Sequence, residues 1–348
     1  KSIICLPILL LLLSALNVSA AESDQLQQLL IAADRNPSLQ AAYEQISVAE
    51  CRIGQVTSLP DPVVSLALSS YPLDSVKSNQ TPMTGNEIRL AQMFPFPGKL
   101  DTKGQIAAEK SHWFASAYQD ARLQVRRQVK DAWYRLLFQR QAIELTNRNL
   151  KILDDFIKLT ETRYEVGKGL QQNVLKAHLQ RSKQLDKLLA LQQQEEATLA
   201  ELNSLAGWET TREVATDAQL GSFAAHFEVD ALQQQAAQNR PLFVAFAALT
   251  KQYQAQRELA RLDYRPDFTL WASYRWRDDS LADGGTDFVS AGLSFNLPIN
   301  NRRRDSAAAE ADSLLRQAVQ KRNDFRNQVN LAIHQALTRF EQAGKLAE

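Results

Sequence analysis

The sequence predicts a mixed fold in which long antiparallel coiled-coil helices are joined to two β-hairpins of membrane-crossing length. Three observations carry this. An apolar heptad recurs through a proline-free stretch of about 65 residues. Two pairs of segments, each about nine residues long, alternate apolar and polar side chains. The order helix, hairpin, long helix is written twice, about 200 positions apart.

The chain has 348 residues, 45% hydrophobic and 23% charged, with a net charge of +1. That balance gives no global field for nucleic acid, and none is expected as a partner. The arginine run of "NNRRRD" (Asn300 to Asp305) fits a solvated helix start or a juxtamembrane anchor better than a phosphate-binding set. Residues 1–20 have the layout of a secretory signal peptide: Lys1, an apolar run from Ile3 to Leu16, and small residues at Val18 and Ala20 before the expected cut. The run is short for a bilayer-spanning helix of about 20 residues. The chain opens on Lys, so a start residue is expected before it. Cys5 lies inside the apolar run, too early for a lipid-acceptor cysteine. Cys51 is then the remaining cysteine, and no internal disulfide is expected. No later apolar run is long enough for a transmembrane helix, so any membrane role falls to strands.

Residues 21–206 form the first expected repeat. Ser23 to about Gln55 carries Leu26, Leu29, Leu30, Ala33, Leu39, Ala42, Ile46 and Ala49 near the helical period, and "SLPDP" ends it. A hairpin follows over 62–94. In its first strand Val64, Leu66 and Leu68 oppose Ser65, Ala67 and Ser69; in its second, Ile88 and Leu90 oppose Glu87 and Arg89. Leu100 to Tyr164 then reads as one helix, with Val129, Leu136, Ile143, Leu150 and Ile157 every seven residues. At 1.5 Å per residue such a helix spans on the order of 95 Å, more than a compact domain needs. "RYEVGKG" (Arg163 to Gly169) supplies glycines for a tight reversal. A return helix runs from Leu170 to Ala206, completing a helical hairpin over 100–206.

Residues 207–226 read as a connector, and 227–348 as the second repeat: a helix from Val229 to Leu262, a hairpin over 266–297, and the start of a long helix. Phe268, Leu270, Ala272, Tyr274 and Trp276 alternate with Thr269, Trp271, Ser273 and Arg275. Val289, Ala291, Leu293 and Phe295 alternate with Ser290, Gly292 and Ser294. "FPFPGK" at Phe94 to Lys99 is matched by "FNLPIN" at Phe295 to Asn300, 201 positions later. Phe94, Pro95, Phe96, Pro97, Gly98, Phe295 and Pro298 therefore mark where strand becomes helix, since proline ends a strand ladder and suits a first helical turn. Phenylalanine there suits a membrane–water interface. By symmetry the partner of the return helix would lie beyond Glu348.

Four strands cannot close a barrel alone, and open edges in lipid leave polar groups unpaired. Three copies would supply a twelve-stranded barrel. Its lipid side would be the apolar sets above. Glu87, Arg89, Asp267 and Arg275 would face the water-filled lumen, and the helices would continue as a periplasmic α-barrel.

The doubled repeat, "LAQMFPFPGKL" and "RYEVGKGLQQNVLKAHLQ" together resemble the TolC-like outer membrane efflux protein family across the mature chain. That resemblance implies a homotrimeric outer membrane channel of a Gram-negative bacterium. It implies passive ducting for a periplasmic adaptor and an inner-membrane pump of RND type. It also places Arg163, Tyr164, Gly167, Gly169 and Leu170 at the periplasmic tip where the adaptor docks. The family's gate residues would lie beyond Glu348, so none is assigned. The "FPFPGKL" form resembles members serving heavy-metal pumps, although Met83, Met93, His112, His178, His226 and His334 form no ligand set at helical spacing. No nucleophile elbow, phosphate loop or His-Glu metal motif is present, so neither catalysis nor a cofactor is expected. The competing architectures are a periplasmic coiled-coil adaptor or scaffold without a channel, and an adhesin stalk.

Overall fold

The computed structural model describes residues 24–216 and 226–347. The expected signal peptide and residues 217–225 of the expected connector lie outside them. The described elements run α1 (Asp24–Ala33), α2 (Pro37–Thr57), β1 (Val63–Ser69), β2 (Gly85–Phe94), α3 (Lys99–Glu165), α4 (Gln171–Ala206), α5 (Val229–Asn239), α6 (Pro241–Leu262), β3 (Phe268–Trp276), β4 (Phe288–Phe295) and α7 (Asn301–Ala347). No described helix is long and apolar enough to cross a membrane.

Two helices expected to be continuous are each broken in two. The stretch from Ser23 to Gln55 divides at Asn36, and that from Val229 to Leu262 divides at Arg240. In both, the next residue is proline, which has no N–H to donate and pushes its predecessor out of the helical region. Arg240 accordingly sits at φ −79°, ψ 118°. Asn36 turns the break into a start: its Oδ1 accepts from Ser38 N at 2.8 Å, and its Nδ2 donates to Leu205 O at 2.9 Å.

The described chain divides into two compact units that cut across the sequence repeats. One holds residues 24–40 and 121–216. Its core is Leu26, Leu29, Leu30 and Ala33 of α1, Val129, Ala132, Trp133, Leu136 and Leu137 of α3, Leu202 and Ala206 of α4, and Val214. Burial of one such leucine contributes about 1.5–3 kcal/mol. The buried positions of α3 include the heptad residues Val129, Leu136 and Ile157, and the polar Gln139 and Thr146 of the same seam. Ion pairs between α3 and α4 run in opposite directions along the two helices: Arg140 with Glu195 at 2.7 Å, Arg181 with Asp154 at 2.6 Å. These two helices therefore form an antiparallel hairpin. Arg140 also donates to Val214 O at 2.7 Å and Thr216 Oγ1 at 2.8 Å, holding the segment after α4.

The other unit holds residues 41–120 and 226–347. Helices α6 and α7 pack together around Phe243, Phe246 and Phe325, with Trp113 of α3 edge-on to Phe246 at 5.3 Å. The strands form one antiparallel sheet in the order β1-β2-β3-β4, so β2 pairs with β3 and joins the two hairpins.

Candidate functional site

The register decides which side chains share a face. Directly opposite one another are Leu66, Ile88, Tyr274 and Val289; then Val64, Leu90, Ala272 and Ala291; then Gln92, Leu270 and Leu293. Phe94, Phe268 and Phe295 close that face in a row beside the helix junctions. It carries no charge. Leu66 and Leu68 are 75% and 74% exposed there, a cost in water unless something apolar covers them.

The opposite face holds every charged side chain of the four strands: Glu87, Arg89 and Arg275. Glu87 gives one carboxylate oxygen to each guanidinium, at 3.0 Å from Arg89 and 2.9 Å from Arg275. Arg89 lies over the Trp271 ring at 4.4 Å. Gly292, across from Trp271, makes room for the indole, since a Cβ there would come within 2.5 Å of it. The serines Ser65, Ser273 and Ser290 share the row of Arg89.

Asp267, expected with this set, precedes β3 and belongs to the junction. Its Oδ1 accepts from Phe96 N at 2.8 Å and from Lys99 Nζ at 2.9 Å. Burial pushes its pKa up, but Lys99 and the Phe96 amide outweigh burial and hold it below the usual carboxylate range. Lys99 is buried and also meets Asp263 at 3.5 Å. Asp267 thus ties β3 to the first turn of α3. Pro95, Phe96, Pro97 and Gly98 fill the link from β2 to α3, and Pro298 the link from β4 to α7.

At the other end of the strands, Arg277 is buried between the two connecting loops. It donates to Pro82 O at 2.6 Å and Thr286 O at 2.7 Å, and pairs with Asp283 at 2.8 Å. Asp278 accepts from the Ser280 and Ser78 hydroxyls, which lower its pKa to about 2. Nothing in the alternation of the strands announced this clasp. An arginine just past a strand, followed by four aspartates within ten residues, is the signal that was there.

The helical turn closes as a Schellman motif: Lys168 N donates to Arg163 O at 2.8 Å and Gly167 N to Tyr164 O at 2.9 Å. Gly167 has φ +74° and needs to be glycine for that reason. Gly169 needs space instead, since a Cβ would meet Tyr164 N at 3.1 Å. Tyr164 and Leu170 are exposed, and a groove of about 370 Å³ beside the turn is lined by Leu153, Phe156, Leu159, Arg163, Leu170 and Lys176 among others.

The family pattern described as outer membrane efflux protein matches residues 29–208, just over half of the chain. No curated protein matches the sequence. Among solved structures, the outer membrane protein VceC from Vibrio cholerae is 20% identical with a TM-score of 0.72, covering 91% of this chain and 79% of that one. The outer-membrane channel OprN is 18% identical with a TM-score of 0.75, covering 93% and 76%. The CmeC outer membrane channel of Campylobacter jejuni is 16% identical with a TM-score of 0.70, covering 93% and 74%. These likenesses show the fold.

Proposed function

Since the chain belongs to the outer membrane efflux protein family, we propose that it is the outer membrane channel of a tripartite efflux system and works as a homotrimer. The observation that carries this is the two-faced sheet with open edges. One face is uncharged and exposed; the other holds Glu87, Arg89, Arg275 and the serines; β1 and β4 each have one partner strand. In lipid an unpaired edge costs several kcal/mol per polar group. Pairing β4 of one copy with β1 of the next removes every edge after three copies, at twelve strands.

The helices support the same assembly. Phe138, Leu145, Ile152 and Leu159 are exposed on α3 at seven-residue spacing, a second apolar stripe beside the buried seam. A neighbouring copy would cover it. The turn around Arg163, Tyr164, Gly167, Gly169 and Leu170 is then the periplasmic tip that docks an adaptor, which links the duct to an RND-type inner-membrane pump. The row of Phe94, Phe268 and Phe295 sits at the membrane–water boundary, where aromatic rings collect. Solutes pass without a chemical step. A heavy-metal cation as cargo rests on the form of "FPFPGKL" alone.

Cysteine pairs scanned along β1 and β4, with Cys51 replaced by serine, test the closure. Oxidation of the protein in outer membranes is expected to link copies into dimers and trimers. Cross-links confined to single chains across the whole scan would refute it.

A further inference from the structure

The water-side face of the sheet is not electrically neutral. Its three charged groups are Glu87, Arg89 and Arg275, and one carboxylate cannot neutralise two guanidiniums. Each copy is left with one uncompensated positive charge. The pairings place it: Glu87 stands opposite Arg275, and Arg89 opposite Ser273, in the next row of the same face. Two residues along a strand are about 7 Å. The charge is also fixed in direction. Both carboxylate oxygens are in use, Glu87 is nearly buried, and Arg89 is held over Trp271 while remaining 45% exposed. No residue of β1 or β4 adds a charge to this face.

We propose that Glu87, Arg89 and Arg275 form a cationic band in the barrel lumen that favours small anions over small cations. This rests on the trimeric duct proposed above, in which three copies bring three net positive charges to one level. It concerns free ions in the lumen and is independent of the solute that the pump delivers. A unit charge about 10 Å away through water changes local ion concentration by about a factor of two. The Debye length is about 30 Å at 0.01 M salt and about 3 Å at 1 M, so the preference belongs to low ionic strength.

The test is the reversal potential of the full-length protein in planar bilayers under a KCl gradient, at low and high mean salt. Three proteins are compared: wild type, Arg89→Gln, and Ser290→Asp. The last adds a negative charge to the same face without touching the Glu87 pairs. The chloride-to-potassium permeability ratio of wild type is expected to rise at least twofold between 1 M and 0.01 M salt. Both variants are expected to lose most of that rise. A wild-type ratio that does not change with salt, or variants that both keep the wild-type ratio, would overturn the band while leaving the duct in place. Absence of conductance from all three proteins would remove the duct, and the band with it.

Discussion

Leu66→Arg and Leu293→Arg place a cation on the uncharged face of the sheet. Leu66 stands in the row of Ile88, Tyr274 and Val289, and Leu293 in the row of Gln92 and Leu270, both inside the strands rather than at their ends. An arginine facing lipid near the bilayer midplane costs about 2–4 kcal/mol. Three copies carry the change three times, so Leu66→Arg loses about 6–12 kcal/mol per assembly, as large as the whole stability of many folds, while Leu293→Arg, one row from Phe295 at the boundary, loses less. Ser290→Arg is the control: the same residue type, one strand position from Val289, on the opposite face. The assay is the fraction of protein in the outer membrane running as unheated oligomer on a detergent gel. Leu66→Arg should abolish that band, Leu293→Arg should weaken it, and Ser290→Arg should keep it. Wild-type amounts of oligomer from both leucine variants, or equal loss from the serine variant, would refute the assignment of faces.

Asp267→Asn leaves buried Lys99 with Asp263 at 3.5 Å as its ion-pair partner and the Arg265 carbonyl at 3.2 Å. The cost should fall below the about 3–5 kcal/mol of a fully stranded buried charge, and should appear as earlier thermal loss of helix by circular dichroism. The folded pKa of Asp267 is lowered. Its contribution is therefore complete above the unfolded value of about 3.9 and is lost as pH falls below it. Wild type should lose more stability than Asp267→Asn across that acid range. Asn203 is fully buried, and its Nδ2 donates to Thr210 O at 3.0 Å and Arg212 O at 2.7 Å. Asn203→Ala should cost about 1–3 kcal/mol and speed hydrogen exchange over 208–214. Gly292→Ala drives a methyl into Trp271 and should cost about 1–3 kcal/mol in unfolding experiments; Trp271→Leu in the same chain should return most of it.

The strands were legible because their period is two: the alternation around Leu66 and around Ser290 already separated the two faces. The heptad around Val129 and Leu136 and the glycines at 167 and 169 likewise located the helical hairpin. What the sequence hid depends on distant partners. Ile88 pairs with Tyr274 across 186 positions, so nothing local to β2 or β3 reveals that the hairpins share one sheet. Asp267 has the parity of Arg275, which suggested the lumen, but Lys99 and the Phe96 amide draw it to the junction. Arg140 looks like any solvated helix residue until Val214 O and Thr216 are brought to it. The breaks at Pro37 and Pro241 were readable. The apolar period continues through both, and it masked the residue that cannot donate to the helix.

The proposed trimer requires the sheet to close with copies of itself. The deciding measurement is light scattering on the full-length protein extracted from outer membranes, corrected for bound detergent. A mass three times that of the mature chain is the predicted result. A monomer in detergent, or release into the soluble periplasm without detergent, would contradict it.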